Sequence, residues 1–167
     1  MIRVIVYRIG KEAEAFDCSQ SAWDAGALAI DRRNADTLAR RSNAQLEAIR
    51  LIHPGLIEGS DGIWYEILVA GTGPKVGVGR KVSLHYSTSL ADGRMVDSSA
   101  RQGVKPIEFI NDAGLLIDGF WMSVADMAVG ERRIAAIPPE LGYGADGAMV
   151  IPPNSWLLFD LELVSAD

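Results

Sequence analysis

All seven prolines and fifteen of the seventeen glycines of this 167-residue chain lie at or beyond Pro54. Proline removes a backbone donor and glycine weakens a helix, so a long helix fits only before that point and a turn-rich fold only after it. Charge divides at the same place. Residues 1–53 carry eight Lys/Arg and seven Asp/Glu, a net of +1, and residues 54–167 carry eight and fifteen, a net of −7, which sum to the chain's −6. Two segments are expected: an N-terminal helical arm over 1–53, and one domain of 114 residues with its own core over 54–167.

The same counts narrow the function. A net charge of −6 disfavours nucleic acid, whose phosphates need a basic surface. No apolar run approaches the ~20 residues of a membrane span. One cysteine forms no internal disulfide, and two distant histidines give no zinc spacing. The opening Met1–Ile9 stretch is interrupted by Arg3 and Arg8, which suits a short strand better than a secretory core. A cytoplasmic location is expected, or a periplasmic one if a signal has been removed.

From Ser21 to about Leu51 the residues favour helix, with Ser21 or Asn34 as a capping residue and Pro54-Gly55 as the stop. Ala35, Leu38, Ala39, Ser42, Leu46, Ile49 and Ile52 form a thin apolar stripe. Two readings stand: a helix packed on its own domain, or a helix that pairs with a second copy.

Beyond residue 62 the period is two. Ile63, Tyr65, Ile67 and Val69 alternate with Trp64, Glu66 and Leu68. Val82, Leu84, Tyr86, Thr88 and Leu90 alternate with a polar face of Ser83, His85, Ser87 and Ser89 that is expected to be wet. Asp92-Gly93 marks a hairpin. Leu157, Phe159, Leu161 and Leu163 give a last strand, and Ile117, Phe120, Val124 and Met127 a short helix. The fold class is therefore α+β, an antiparallel sheet with one apolar helix buried against it. The glycine-rich stretch 71–79 leads into a strand and contains Pro74, so it reads as a connection rather than a phosphate loop.

Four segments occur in a recognisable order: VSLHYSTSLADGRMVDSS at 82–99, LIDGF at 116–120, GERRIAAIPPELGYG at 130–144 and IPPNSWLLFDLEL at 151–163. Over residues 62–165 the chain resembles the FKBP-type peptidyl-prolyl cis-trans isomerases. The resemblance implies a curved antiparallel sheet wrapped around a short helix, with an apolar pocket between them. It also implies site residues. Phe120 would be the floor under a proline ring, with Tyr86, Ile107, Leu116 and Phe159 as walls and Val96 and Ile151 completing the lining. The backbone N–H of Ile117 and the hydroxyl of Tyr143 would bind substrate carbonyls. Asp97 would accept hydrogen bonds inside the pocket and fix Tyr86 and Arg101. Read without the family, Phe120, Leu116, Ile117 and Phe159 would pass for core, and Asp97 and Tyr143 for turn residues.

This chemistry needs neither nucleophile, metal nor cofactor. Rotation about an X–Pro bond costs ~18–20 kcal/mol because the amide gives up resonance. A dry pocket that holds the twisted, less polar amide lowers that barrier, and a thousandfold gain asks for about 4 kcal/mol. The expected partners are proline-containing unfolded or extended polypeptides. Departures from the family pattern centre on three pocket aromatics. Phe120 stands for the usual tryptophan floor, with Trp121 displaced beside it, and Val96 and Ile107 stand where aromatics are usual. The loop after Ser99 is one residue longer than usual, and the one before Ile151 is one shorter and lacks its histidine. Lowered turnover and weakened binding of tacrolimus-like macrolides are expected. The arm resembles, in position alone, the dimerisation arm of Mip-like members, which raises a homodimeric binding module or chaperone as the alternative. Hydrolase chemistry has little support: Cys18 has no evident base, and His85 sits on the serine-rich face.

Overall fold

The computed structural model describes residues 2–6, 14–18, 20–59, 61–102, 105–112, 114 and 116–167, with side chains from residue 32 onward except at 101 and 102. Two compact units divide at Met1–Arg40 and Arg41–Asp167. In the first, β1 (Ile2–Val6) pairs antiparallel with β2 (Glu14–Cys18), and a helix follows. That helix, α1, runs Gln20–Ile52 and carries on into the second unit. It starts one residue before Ser21 and passes through Asn34, so neither residue caps it. Residues 32–40 are exposed throughout.

In the second unit β3 (Ile57–Glu58), β4 (Trp64–Val69), β8 (Arg132–Ile137), β9 (Leu157–Ala166), β5 (Lys81–Leu90) and β6 (Met95–Ser98) lie in that order in one sheet. β7 (Ile107–Ile110) also pairs with β5, which makes seven strands, all antiparallel. The ten residues of β5 are long enough to serve β7 at one end and β6 at the other. The curved sheet packs one face on α2 (Asp118–Ala125), where Phe120, Val124 and Met127 meet Leu84, Ile137, Leu157, Phe159 and Leu161. Gly119 permits this approach, because a Cβ there would run into Ile137.

The opposite face is covered too. Ile49 and Leu46 of α1 pack with Leu56, Ile134, Ala136, Trp156, Trp64 and Leu158 in a second cluster. Gln45 fastens the helix there, donating to the Asn154 carbonyl (2.9 Å) and accepting from the Trp156 N–H (3.0 Å). The Trp156 indole N–H donates to Ser42 Oγ at 2.7 Å. Within this unit α1 therefore follows the first of the two sequence readings, from Ser42 to Ile49. The polar face of β5 is not wet: Ser83 is buried, and His85, Ser87 and Ser89 are half-buried. β5 lies inside the sheet, flanked by β9 on one edge and by β6 and β7 on the other, and Ser99 of the turn after β6 packs against His85 and Tyr86. The stretch 71–79 is a connection tied to the segment after α2, with the N–H groups of Gly73 and Val76 donating to the carbonyls of Val129 and Met127. No helix among the described residues is long and apolar enough to cross a membrane.

Candidate active site

A cavity of about 500 Å³ opens between α2 and the concave face of the sheet. It is lined by Tyr86, Thr88, Val96, Asp97, Ile107, Gly114, Leu116, Ile117, Phe120, Tyr143, Ile151 and Phe159. Ten of the eleven site residues expected from the sequence are thus brought together, drawn from seven separate places along the chain. The eleventh, Arg101, falls in the 3₁₀ turn Ser99–Gln102, and its side chain lies outside the described residues. Gly114 and Thr88 were not expected. Thr88 had a signal, since it shares the inward stripe of β5 with Tyr86; no such stripe pointed to Gly114.

Phe120 projects from the first turn of α2 and is almost wholly buried. Tyr86 and Phe159 meet it edge-on, at centroid distances of 5.9 and 5.2 Å, and Phe109 lies tilted at 5.7 Å. Such edge contacts each contribute roughly 0.5–1.5 kcal/mol beyond burial. Three rings therefore fix the position of the fourth, and the cavity lies on the side they leave open. Phe159 and Ile151 are buried walls, whereas Leu116 and Tyr143 stand half-exposed at the rim. Tyr143 is set by a tight turn: the Gly144 N–H donates to the Pro139 carbonyl (2.8 Å), and Gly144 takes a φ of 59°.

Val96 and Asp97 are consecutive, and in a regular strand they would face opposite ways. Both line the cavity because the β5–β6 register shifts between Thr88, opposite Asp97, and Ser89, opposite Met95. Val96 is the additional residue of a bulge, a device that re-aims side chains. Asp97 accepts a 2.6 Å hydrogen bond from the Tyr86 hydroxyl. Burial, and then that bond, raise the Tyr86 phenol above the ordinary tyrosine range, so it is a neutral donor at physiological pH. The Tyr86 backbone is held as well, its N–H donating to Ser99 Oγ at 3.1 Å and its carbonyl accepting from that hydroxyl at 3.3 Å. His85 Nδ1 lies 3.5 Å from the same oxygen.

A second hollow of about 490 Å³ lies behind α2, and the displaced Trp121 faces it. There Arg133 is paired with both Glu131 and Asp126 and also donates to the Ser123 carbonyl. That guanidinium holds elements together, with its charge already answered. Among the described residues no group of three or more His, Cys, Asp or Glu side chains lies together as a metal site would require.

What the first cavity offers is a mostly apolar recess with an aromatic floor packed by three other rings and one oriented polar pair, Tyr86–Asp97. It suits a compact apolar ring attached to an amide better than a bond to be cleaved. The comparisons agree. The family model of FKBP-type peptidyl-prolyl cis-trans isomerases matches residues 73–164, just over half of the chain. Peptidyl-prolyl cis-trans isomerase FKBP15-3 of Arabidopsis thaliana is 44% identical over 108 residues, 63% of this chain and 74% of that protein. FK506-binding protein 2 of Candida glabrata is 45% identical over 111 residues, 63% of this chain and 81% of that protein. A crystal structure of a peptidyl-prolyl cis-trans isomerase from Pseudomonas syringae superposes with a TM-score of 0.68 at 29% identity, covering 79% of this chain and 95% of that one. FkpA from Escherichia coli gives 0.65 at 26% identity, covering 90% of this chain and 74% of that one. The chain belongs to the FKBP-type peptidyl-prolyl cis-trans isomerases, enzymes that rotate the peptide bond preceding proline.

Proposed function

We propose that this cavity binds the proline ring of an extended or unfolded polypeptide over Phe120 and accelerates X–Pro rotation there at a lowered rate. The carrying observation is a 500 Å³ apolar recess floored by Phe120 and holding the Tyr86–Asp97 hydrogen bond. The planar amide is the more polar form, so removing it from water raises the ground state relative to the twisted one. Tyr143 at the rim and the backbone of Ile117, the residue preceding α2, would hold the flanking carbonyls, and Asp97 would keep Tyr86 in place. Val96, Ile107 and Phe120 give less contact area than three larger aromatics. Turnover is expected to be lowered for that reason, and tacrolimus-like macrolides to bind weakly. The test is NMR exchange on an X–Pro peptide with the full chain; no acceleration at high protein concentration would refute catalysis.

A second reading, a binding module that works as a dimer through the arm, rests on the exposed run 32–40 of α1, where Leu38 is 42% exposed. Two grips on one client would multiply affinity through effective concentration. Sedimentation separates the two: a dimer with no turnover favours the module, and a monomer with turnover favours the enzyme alone.

A further inference from the structure

Thr88 is 4% exposed and lines the cavity. It stands in register with Asp97 on one side and with Phe159 on the other, both cavity residues themselves. Among the described residues its hydroxyl has no hydrogen-bond partner. That is unusual, because a buried hydroxyl without a partner destabilises the fold. The described polar side-chain atoms sealed inside the protein are all partnered except Asn111 Oδ1, so the Thr88 oxygen is not sealed; it opens on the cavity. Tyr86 sits two residues away on the same face, but its one O–H is already committed to Asp97 at 2.6 Å. Tyr143, the other hydroxyl of the lining, is at the rim. Thr88 is therefore the hydroxyl donor of the deep wall that remains available to a ligand.

A bound X–Pro segment offers acceptors at that depth. Proline has no N–H, so the backbone groups that accompany its ring into an apolar recess are carbonyl oxygens. We propose that Thr88 is a substrate-binding residue whose hydroxyl donates a hydrogen bond to a backbone carbonyl oxygen of the bound polypeptide. The proposal rests on the reading of this cavity as the isomerase site. It adds a hydrogen bond from the deep wall to the carbonyl contacts expected of Tyr143 and the Ile117 backbone.

The experiment compares full-length wild type, Thr88→Val and Thr88→Ser, each first shown to be folded by its amide NMR spectrum. Valine keeps the shape and removes the donor, while serine keeps the donor and removes a methyl. For each protein, exchange of one X–Pro peptide gives kcat/KM, and titration of the same peptide gives its Kd. Thr88→Val is expected to lose about two- to tenfold in kcat/KM, the worth of one net hydrogen bond, with Thr88→Ser staying within about twofold of wild type. Thr88→Val equal to wild type overturns the proposal. So does Thr88→Ser falling as far as Thr88→Val, since packing alone would then explain both. If wild type itself leaves exchange unchanged, the isomerase reading is what fails, and the Kd ratio of wild type to Thr88→Val decides the hydrogen bond.

Discussion

Phe120→Trp is the substitution that probes the floor of the pocket most directly. Three rings already crowd Phe120 at 5.2–5.9 Å, so the larger indole can grow only into the cavity. Tryptophan offers on the order of 50 Å² more contact area than phenylalanine. At about 25 cal/mol per Å² that is roughly 1.3 kcal/mol, close to tenfold in affinity. A tacrolimus-like macrolide should bind about tenfold more tightly, read by titration calorimetry, and exchange of an X–Pro peptide should quicken. The opposing effect is overpacking, which costs about 1–3 kcal/mol if the indole is forced against Tyr86 and Phe159. Urea unfolding of the same samples separates the two, because strain lowers the midpoint whereas growth into the cavity does not. Unchanged macrolide affinity in a variant as stable as wild type would refute Phe120 as the floor.

Other perturbations test other parts. The Tyr86 phenol is raised by burial and by its bond to Asp97, so a spectrophotometric titration should find one tyrosine ionising late, absent in Tyr86→Phe. Its folded value exceeds the unfolded one, so its stabilisation is complete below about pH 10 and is lost as pH rises through the folded value. Earlier loss, at neutral pH, would contradict this. Gly119→Ala should destabilise the domain by about 1–3 kcal/mol in urea, since Ile137 occupies the space; a neutral result would mean that α2 shifts freely on β8. Gln45→Ala removes the clamp on Asn154 and Trp156 and should lower stability by about 1–3 kcal/mol with X–Pro exchange unaltered. An equal fall in turnover would tie α1 to the pocket.

Much of the core could be read from alternation alone. The inward residues of β5 and β9 are buried from Val82 to Leu90 and from Leu157 to Leu163, apart from the half-buried Tyr86 at the pocket. Alternation failed where a face it left outward was covered from far along the chain. Trp64, Trp156 and Leu158 stand out of phase with the main core, yet they pack under α1, through contacts such as Gln45 to Trp156 that no local pattern encodes. The serine face of β5 misled for a similar reason, since packing by Ser99 of the turn after β6 leaves no periodic mark. Asp97 beside Val96 is the sharpest case. Strict alternation gives only one of them to the pocket, and a bulge gives it both. The family resemblance supplied that pair, but it passed over Thr88, which simple alternation had placed on the inward face.

The seating of α1 on the outer face of the sheet also bears on how the protein fails. Without residues 42–49 the sheet would present Trp64, Ile134, Ala136, Trp156 and Leu158 to water as one apolar surface. β4 already carries exposed Ile67, Leu68 and Val69, and β3 covers only its first two residues. A bared hydrophobic face beside an open strand is a template for another chain's strand. Loss of that helical seat would thus turn a hydrogen-bonded sheet into a seed for aggregation.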